Sequence, residues 1–234
     1  MVFLDALTRP GRSPVIAEIK CRDPKGADLT GGRDPADIAR AYLGQGAAAL
    51  SVVTGRWFGG NAALLAGIAQ VVAGRLPILR KDFLISDAAL RETRDLGADA
   101  ALITVALMRP GQTARLTRTA LRLGLTPFIE VATEAETHEI PRDLPVVIAV
   151  NNSDIATRER AGTGPARSLA LVQAIADRRP AATVAASRIA DVRTAMSLLG
   201  AGFDALLIGT ALMRDLTLLE GINAAYAARD IGAA

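Results

Sequence analysis

Four segments of the chain repeat one pattern, in which a glycine and a short polar turn lead into a run of aliphatic residues. They read GQGAAALSVV (44–53), LGADAALITV (96–105), LGLTPFIEV (123–131) and LGAGFDALLIG (199–209). Glycine supplies the positive φ that ends a helix, and an unbroken aliphatic run is typical of a strand covered on both faces. Repetition of helix and then strand therefore predicts a parallel sheet surrounded by helices.

Eight aliphatic runs of this kind occur in the 234 residues, which allows about 29 residues for each strand, helix and pair of loops. No G-x-G-x-x-G motif follows the first run, so we favour an α/β fold of a single (β/α)8 TIM barrel over residues 1–234 to an open, doubly wound sheet. The predicted strands are 15–20, 49–54, 77–82, 99–105, 126–131, 146–152, 183–187 and 205–210, and amphipathic helices are predicted at 34–43, 87–96, 112–123, 168–177 and 192–199.

Composition excludes several classes of partner and site. A net charge of +3 and an aromatic content of 3% argue against a nucleic-acid partner. Because Cys21 and His138 are each the only residue of their type, we expect no disulfide, no metal site and a reducing, cytoplasmic location. The uncharged stretch 57–74 contains four glycines and shows helical spacing, which predicts a loop and a soluble helix and no membrane span.

Charged residues stand at the ends of several predicted strands. Glu18 and Lys20 end the first strand two residues apart, so their side chains share one side of it, while Lys81 ends the third strand and Glu130 the fifth. In a parallel barrel these ends meet at one rim, where active sites lie. A lysine beside carboxylates can donate a proton and a glutamate can accept one. Salt bridges without a catalytic role are the less favoured alternative, since unused buried charge is costly.

Two further features suggest a ligand at the same rim. Gly209 and Thr210 follow the eighth strand, which is the usual barrel position for a phosphate, although an ordinary turn is the alternative. Phe58 and its neighbour Trp57 follow the second strand, where they either pack against an aromatic ligand or cover the rim.

Seven segments of the sequence resemble the indole-3-glycerol phosphate synthase family in order and spacing over nearly the whole chain. They are PVIAEIK (14–20), LSVVTGRWFGG (50–60), LPILRKDFLIS (76–86), GADAALI (97–103), PFIEV (127–131), IAVNN (148–152) and LLIGTALMR (206–214). The resemblance implies a TIM barrel that works without a cofactor in tryptophan biosynthesis. Its small-molecule substrate would be 1-(2-carboxyphenylamino)-1-deoxyribulose 5-phosphate, closed to an indole by a carboxy-lyase that releases CO₂ and water.

The resemblance also implies a role for each matching position. These roles are Lys81 as general acid, Glu130 as general base of the dehydration, Lys20 as partner of the substrate carboxylate, Glu18 as the residue that orients both lysines, Asn151 as a contact of a substrate hydroxyl, Gly209 and Thr210 as contacts of the phosphate, and Ser187 as a further substrate-binding residue.

The sequence also departs from the family pattern near the expected phosphate. Ser153 stands where the family has an arginine, Ala186 replaces a glutamate and Arg188 replaces a glycine. We expect Arg188 to substitute for the missing arginine and Asp23 to repel a phosphate. These changes leave open a specialised paralogue that uses the same lysines and glutamates on a different, non-phosphorylated substrate. A catalytically silent barrel that acts as a binding subunit is the third alternative.

The segment before the first strand is shorter than in the family, where an additional helix covers the barrel mouth. We therefore expect a second copy of the chain or another protein to cover the mouth here.

Overall fold

A computed structural model describes residues 1–153 and 165–232, and it shows a closed barrel of eight parallel strands in the order β1 to β8. Every strand lies next to its neighbour in sequence, so the predicted (β/α)8 TIM barrel is confirmed. The strands are β1 (Val15–Ile19), β2 (Ala49–Val53), β3 (Ile78–Lys81), β4 (Ala100–Thr104), β5 (Thr126–Val131), β6 (Val147–Asn151), β7 (Ala182–Ala186) and β8 (Ala205–Ile208).

Helices follow the strands around the outside of the barrel, and one helix precedes β1. They are α1 (Val2–Thr8), α2 (Pro35–Gly44), α3 (Ala62–Val72), α4 (Asp87–Asp95), α5 (Gln112–Arg122), α6 (Glu134–Thr137), α7 (Ala166–Ala176), α8 (Val192–Gly200), α9 (Thr210–Arg214) and α10 (Thr217–Gly232), with 3-10 turns at Arg56–Phe58 and Val105–Leu107. The predicted eighth strand ran to residue 210, but β8 ends at Ile208 because Thr210 already begins α9.

Two of the repeated segments use the same device at the amino end of a strand. Asp99 precedes β4 and its Oδ2 accepts a hydrogen bond from the backbone N–H of Ile78 at 2.9 Å. Asp204 precedes β8 and its Oδ2 accepts from the N–H of Thr183 at 2.8 Å. Each aspartate therefore satisfies a backbone donor at the start of the preceding strand, which explains why G-A-D and G-F-D recur in corresponding halves of the barrel.

Helix α1 closes the amino-terminal end of the barrel. Its Phe3 and Leu7 are fully buried among inward-facing residues of the strands, and the Phe3 ring meets Phe128 of β5 edge-on with centroids 6.2 Å apart. Aliphatic side chains such as Ile16 and Leu79 fill the layer above them. Because this lower half is packed with apolar groups, polar side chains inside the barrel are concentrated at its carboxyl-terminal end.

The uncharged stretch 57–74 forms the end of a 3-10 turn and then helix α3, as its helical spacing predicted. The Oδ1 atom of Asn61 accepts from the N–H of Leu64 at 2.8 Å and caps the helix start. Leu65, Ile68 and Val72 are buried against the barrel. Among the residues that the structure describes, no helix has the length and apolar character needed to cross a membrane.

Candidate active site

Two adjacent cavities open at the carboxyl-terminal end of the barrel and share Pro24 and Lys25 on their walls. The smaller cavity has a volume of about 390 Å³ and the larger one about 800 Å³. Both are lined by the site residues that the sequence predicted. Glu18, Lys20, Ser187, Arg188, Gly209 and Thr210 line the smaller cavity, and Phe58, Lys81, Glu130 and Asn151 line the larger one.

A buried carboxylate on β1 joins the two predicted lysines. Oε1 of Glu18 lies 3.5 Å from Nζ of Lys20, and Oε2 lies 3.3 Å from Nζ of Lys81. The hydroxyl of Ser51 on β2 donates to Oε2 at 3.5 Å. Glu18 is 2% exposed and the lysines are 4% and 9% exposed, so water screens these ion pairs weakly. Glu18 thus fixes the positions of both ammonium groups, one in each cavity.

The position of Glu18 depends on a glycine that follows β8. A Cβ atom placed on Gly209 would lie 2.3 Å from Oε1 and 3.0 Å from Cδ of Glu18. Any other residue at position 209 would therefore overlap the carboxylate. Gly209 begins the turn into α9, which brings Thr210 to the wall of the smaller cavity.

Aromatic side chains form one wall of the larger cavity. Nζ of Lys20 lies 5.2 Å from the centroid of the Phe58 ring, a cation–π distance. Trp57 and Phe83, in the loops after β2 and β3, have ring centroids 6.1 Å apart and are both about half exposed. A flat aromatic ligand would find three rings here, close to Lys81 and Glu130.

The end of β6 is held by hydrogen bonds that involve both the strand and α7. Oδ1 of Asn151 accepts from the backbone N–H of Ser153 at 2.8 Å. Nη1 of Arg167, in the first turn of α7, donates to the carbonyl oxygens of Asn151 and Ser153 at 2.7 and 2.8 Å. Arg167 also lines the larger cavity.

Two consecutive residues after β7 have left-handed backbone conformations. Ser187 has φ 70° and Arg188 has φ 57°, a region that residues other than glycine rarely occupy. Such strain is concentrated at binding and catalytic sites in proteins. Glycine, which the resemblance implies at this position in the family, adopts a left-handed conformation without strain. Arg188 itself lines the smaller cavity.

Asp23 lies at the smaller cavity, but its carboxylate is bound within its own loop. Oδ1 accepts from the N–H groups of Lys25 and Ala27 at 2.8 and 3.0 Å, and Oδ2 lies 3.8 Å from Nη2 of Arg214. The hydrogen bond from Ala27 is the main reason that the pKa of Asp23 is lowered, opposed by partial desolvation. These donors hold the carboxylate in its charged form, so repulsion of a phosphate by Asp23 stays a prediction.

Lys25 and Arg167 line the cavities but were not among the site residues predicted from the sequence. The signal for Lys25 was available, because the chain has 24 arginines and only three lysines, and all three lysines line the two cavities. Arg167 had a weaker signal, since it lies 16 positions beyond the end of β6, in the first turn of the helix that follows. In the described part of the chain, no group of three or more His, Cys, Asp and Glu side chains could hold a metal ion.

Comparison with known proteins shows the family of the chain. The family model described as indole-3-glycerol phosphate synthase matches residues 1–223. The chain is 38% identical to indole-3-glycerol phosphate synthase 2 of Streptomyces coelicolor over 222 residues, which cover 91% of the chain and 80% of the relative. It is 32% identical to the indole-3-glycerol phosphate synthase of Pyrococcus furiosus over 215 residues, which cover 89% of the chain and 90% of the relative. It is 36% identical to the tryptophan biosynthesis protein TrpCD of Archaeoglobus fulgidus over 214 residues, which cover 90% of the chain and 37% of the relative. The chain belongs to the indole-3-glycerol phosphate synthase family.

Proposed function

We propose that the protein is a carboxy-lyase of tryptophan biosynthesis that converts 1-(2-carboxyphenylamino)-1-deoxyribulose 5-phosphate to indole-3-glycerol phosphate, CO₂ and water. The observation that carries the proposal is the pairing of one buried carboxylate, Glu18, with both Lys20 and Lys81 at the barrel mouth, where Glu130 lines the same cavity as Lys81. Family membership supports the same reaction.

The reaction needs one acid and one base, and the larger cavity offers both. The ring carbon that bears the carboxylate attacks the ketone carbon, and Lys81 donates a proton to the ketone oxygen as it becomes a hydroxyl. Loss of CO₂ returns its bonding electrons to the ring. The hydroxyl then leaves as water, again with a proton from an acid, while Glu130 accepts the proton that is lost as the indole becomes aromatic. No redox step occurs, so no electron carrier is required.

The two cavities suit the two halves of this substrate. Trp57, Phe58 and Phe83 provide aromatic surface for the aniline ring in the larger cavity. Arg188 and the turn at Gly209 and Thr210 provide a cation and backbone donors for the phosphate in the smaller cavity. Asn151, on the wall of the larger cavity, is proposed to contact a substrate hydroxyl.

The two alternatives are less well supported. A paralogue with another substrate is not favoured, because the matches to synthases extend over most of the chain. A silent barrel would retain four buried charged groups at its mouth without a use for them, and such groups are expensive to bury.

The proposal is tested by indole fluorescence after the purified protein is mixed with the carboxyphenylamino substrate. We expect turnover by the wild type and loss of at least roughly 100-fold in kcat for Lys81→Ala, which removes the general acid. Lys81→Arg keeps the positive charge but cannot release a proton at neutral pH, so it should be equally inactive. A folded wild-type protein that leaves the substrate unchanged would refute the proposed reaction.

Three expectations about the whole protein remain part of this proposal. We propose that residues 1–234 form one domain, that the protein works in the cytoplasm and that a second copy or a partner covers the mouth. Exposed Trp57, Phe83, Ile85 and Leu107 near the mouth are consistent with such a cover. Light scattering of the purified protein measures the molar mass and distinguishes a monomer from a dimer.

A further inference from the structure

Arg167 is a cation in the larger cavity that has no counterpart among the site residues assigned above. It belongs to α7, whereas Lys81, Glu130 and Asn151 belong to strands. Its guanidinium reaches the end of β6, where Nη1 is held by the carbonyl oxygens of Asn151 and Ser153 at 2.7 and 2.8 Å. Two hydrogen bonds to backbone atoms of the barrel fix the guanidinium without neutralising its charge.

The planar guanidinium has more donors than these contacts use. Among the described residues, the hydrogen bonds of Arg167 are made by Nη1 and go to carbonyl oxygens, not to a carboxylate. Nε and Nη2 carry three further N–H donors in the same plane. An arginine held at one nitrogen and partly buried beside a cavity is well suited to bind an anion with the remaining two nitrogens.

Three acidic residues of the described chain line the larger cavity; Asp82 and Glu136 accept hydrogen bonds from their own loop or a neighbouring one, and the third is Glu130. Oδ2 of Asp82 accepts from the Thr54 hydroxyl at 2.7 Å, and Oδ1 accepts from the N–H of Phe83 at 2.9 Å. Oε2 of Glu136 accepts from the N–H of Ala132 at 2.7 Å. The charges of Asp82 and Glu136 are thus partly compensated by local donors. The charge of Lys81 is shared with Glu18, whereas Arg167, held by carbonyl oxygens, adds positive charge to the cavity that contains the aromatic wall.

The composition of the two cavities indicates which substrate anion Arg167 binds. Arg188, Gly209 and Thr210 line the smaller cavity, whereas Arg167 lines the larger one together with Trp57 and Phe83. An anion in the larger cavity therefore accompanies an aromatic ring. We propose that Arg167 binds the carboxylate of the aromatic substrate and is a specificity-determining residue. The inference rests on the proposed function and assigns to α7 a contact that the resemblance gave to Lys20.

This contact would distinguish the substrate from the product. The carboxylate leaves as CO₂ during the reaction, so the product has no group that can pair with Arg167. Binding energy from Arg167 is therefore available to the substrate and is lost once the C–C bond to the carboxylate breaks, which favours release of the product.

The test compares two unreactive ligands by isothermal titration calorimetry. The first is the substrate with its ketone reduced to an alcohol, and the second is the same molecule made from aniline, which lacks the carboxylate. For Arg167→Gln we expect roughly 10- to 100-fold weaker binding of the carboxylated ligand, the range given by a charge-assisted hydrogen bond, and unchanged binding of the aniline ligand. Arg167→Lys should recover part of the loss, because it restores charge but not the paired geometry.

Arg193→Gln serves as the control, since it removes an exposed arginine from α8 and should bind both ligands as the wild type does. If Arg167→Gln weakens binding of both ligands equally, Arg167 acts on the phosphate or on the structure of β6. If it leaves binding of both ligands unchanged, Arg167 does not contact the carboxylate. Either result overturns the inference. Wild-type turnover is measured first. An inactive wild type overturns the proposed function and this inference with it, whereas an active wild type with either result above overturns the inference alone.

Discussion

Substitution of Gly209 by alanine is expected to damage the site through a single displaced carboxylate. The new Cβ atom would lie 2.3 Å from Oε1 of Glu18, and an ordinary contact begins at 3.4 Å, so Oε1 must retreat by about 1 Å. The Lys20 pair is 3.5 Å long before this movement and would lengthen beyond the range of a direct ion pair. Rotation of the carboxylate gives limited relief, because the Cβ atom of Glu18 is itself only 3.3 Å away.

We expect Gly209→Ala to lower the free energy of unfolding by about 1–3 kcal/mol, the usual range for overpacking a buried site. The expected loss in kcat is on the order of 100-fold, since a 1 Å misplacement of a catalytic group has effects of this size. Urea denaturation and indole fluorescence measure the two quantities.

Gly67→Ala is the matched control, because Gly67 lies in α3 with open space around its Cβ position, and alanine there should stabilise the helix slightly. Wild-type stability and kcat in Gly209→Ala would refute the view that this glycine makes room for Glu18.

Two further substitutions test the backbone conformation after β7 and a helix cap. Arg188→Gly should raise Tm by roughly 2–4 °C through relief of the φ 57° conformation, and it should raise KM. The control is exposed Arg179 (φ 51°), which lies before β7 at the amino-terminal end of the barrel; Arg179→Gly should give the same gain in Tm with KM unchanged. A lower Tm for both variants would contradict the strain. The carboxylate of Asp191 caps α8 by accepting a hydrogen bond from the N–H of Thr194, and this bond lowers the pKa of Asp191 below the ordinary 3.8. The charged cap therefore contributes its full stabilisation above pH 3.8, and this stabilisation is lost as the pH falls through the lowered pKa. Asp191→Ala should therefore lower the free energy of unfolding by about 1 kcal/mol at pH 7 and by less at pH 3, as measured by urea denaturation. Asn61→Ala removes a neutral cap, so it should lower the free energy of unfolding by the same amount at both pH values.

The barrel could be predicted from the sequence because each strand and helix unit has local signals. Glycines, caps and aliphatic runs recur at a spacing that fits one unit, and eight such units favour a closed barrel over an open sheet. The pairing of Glu18 and Lys20 also follows from local geometry, since residues two apart on a strand share a side. Lys81 could be assigned to the same rim because parallel strands end together.

The features of the site that could not be predicted from the sequence depend on contacts between distant segments of the chain. Arg167 reaches β6 from the first turn of α7, and its place was not visible from strand ends alone. The hydrogen bonds that hold the Asp23 carboxylate come from the N–H groups of Lys25 and Ala27, and this loop conformation could not be predicted from the sequence. The left-handed conformation of Arg188 likewise follows from the path of the chain between β7 and α8 and not from a preference of arginine.

Sharing of Glu18 between two ammonium groups links events in the smaller and larger cavities. An anion that attracts Lys20 weakens its hold on the carboxylate and leaves a larger share of that negative charge to Lys81. By thermodynamic reciprocity, a ligand group that attracts Lys81 must change the affinity at Lys20 by the same factor. Because Lys81 is then held more tightly by Glu18, the two halves of a bipartite ligand would weaken each other's contacts, and fragments tested singly would overstate what each contact contributes to binding of the intact molecule.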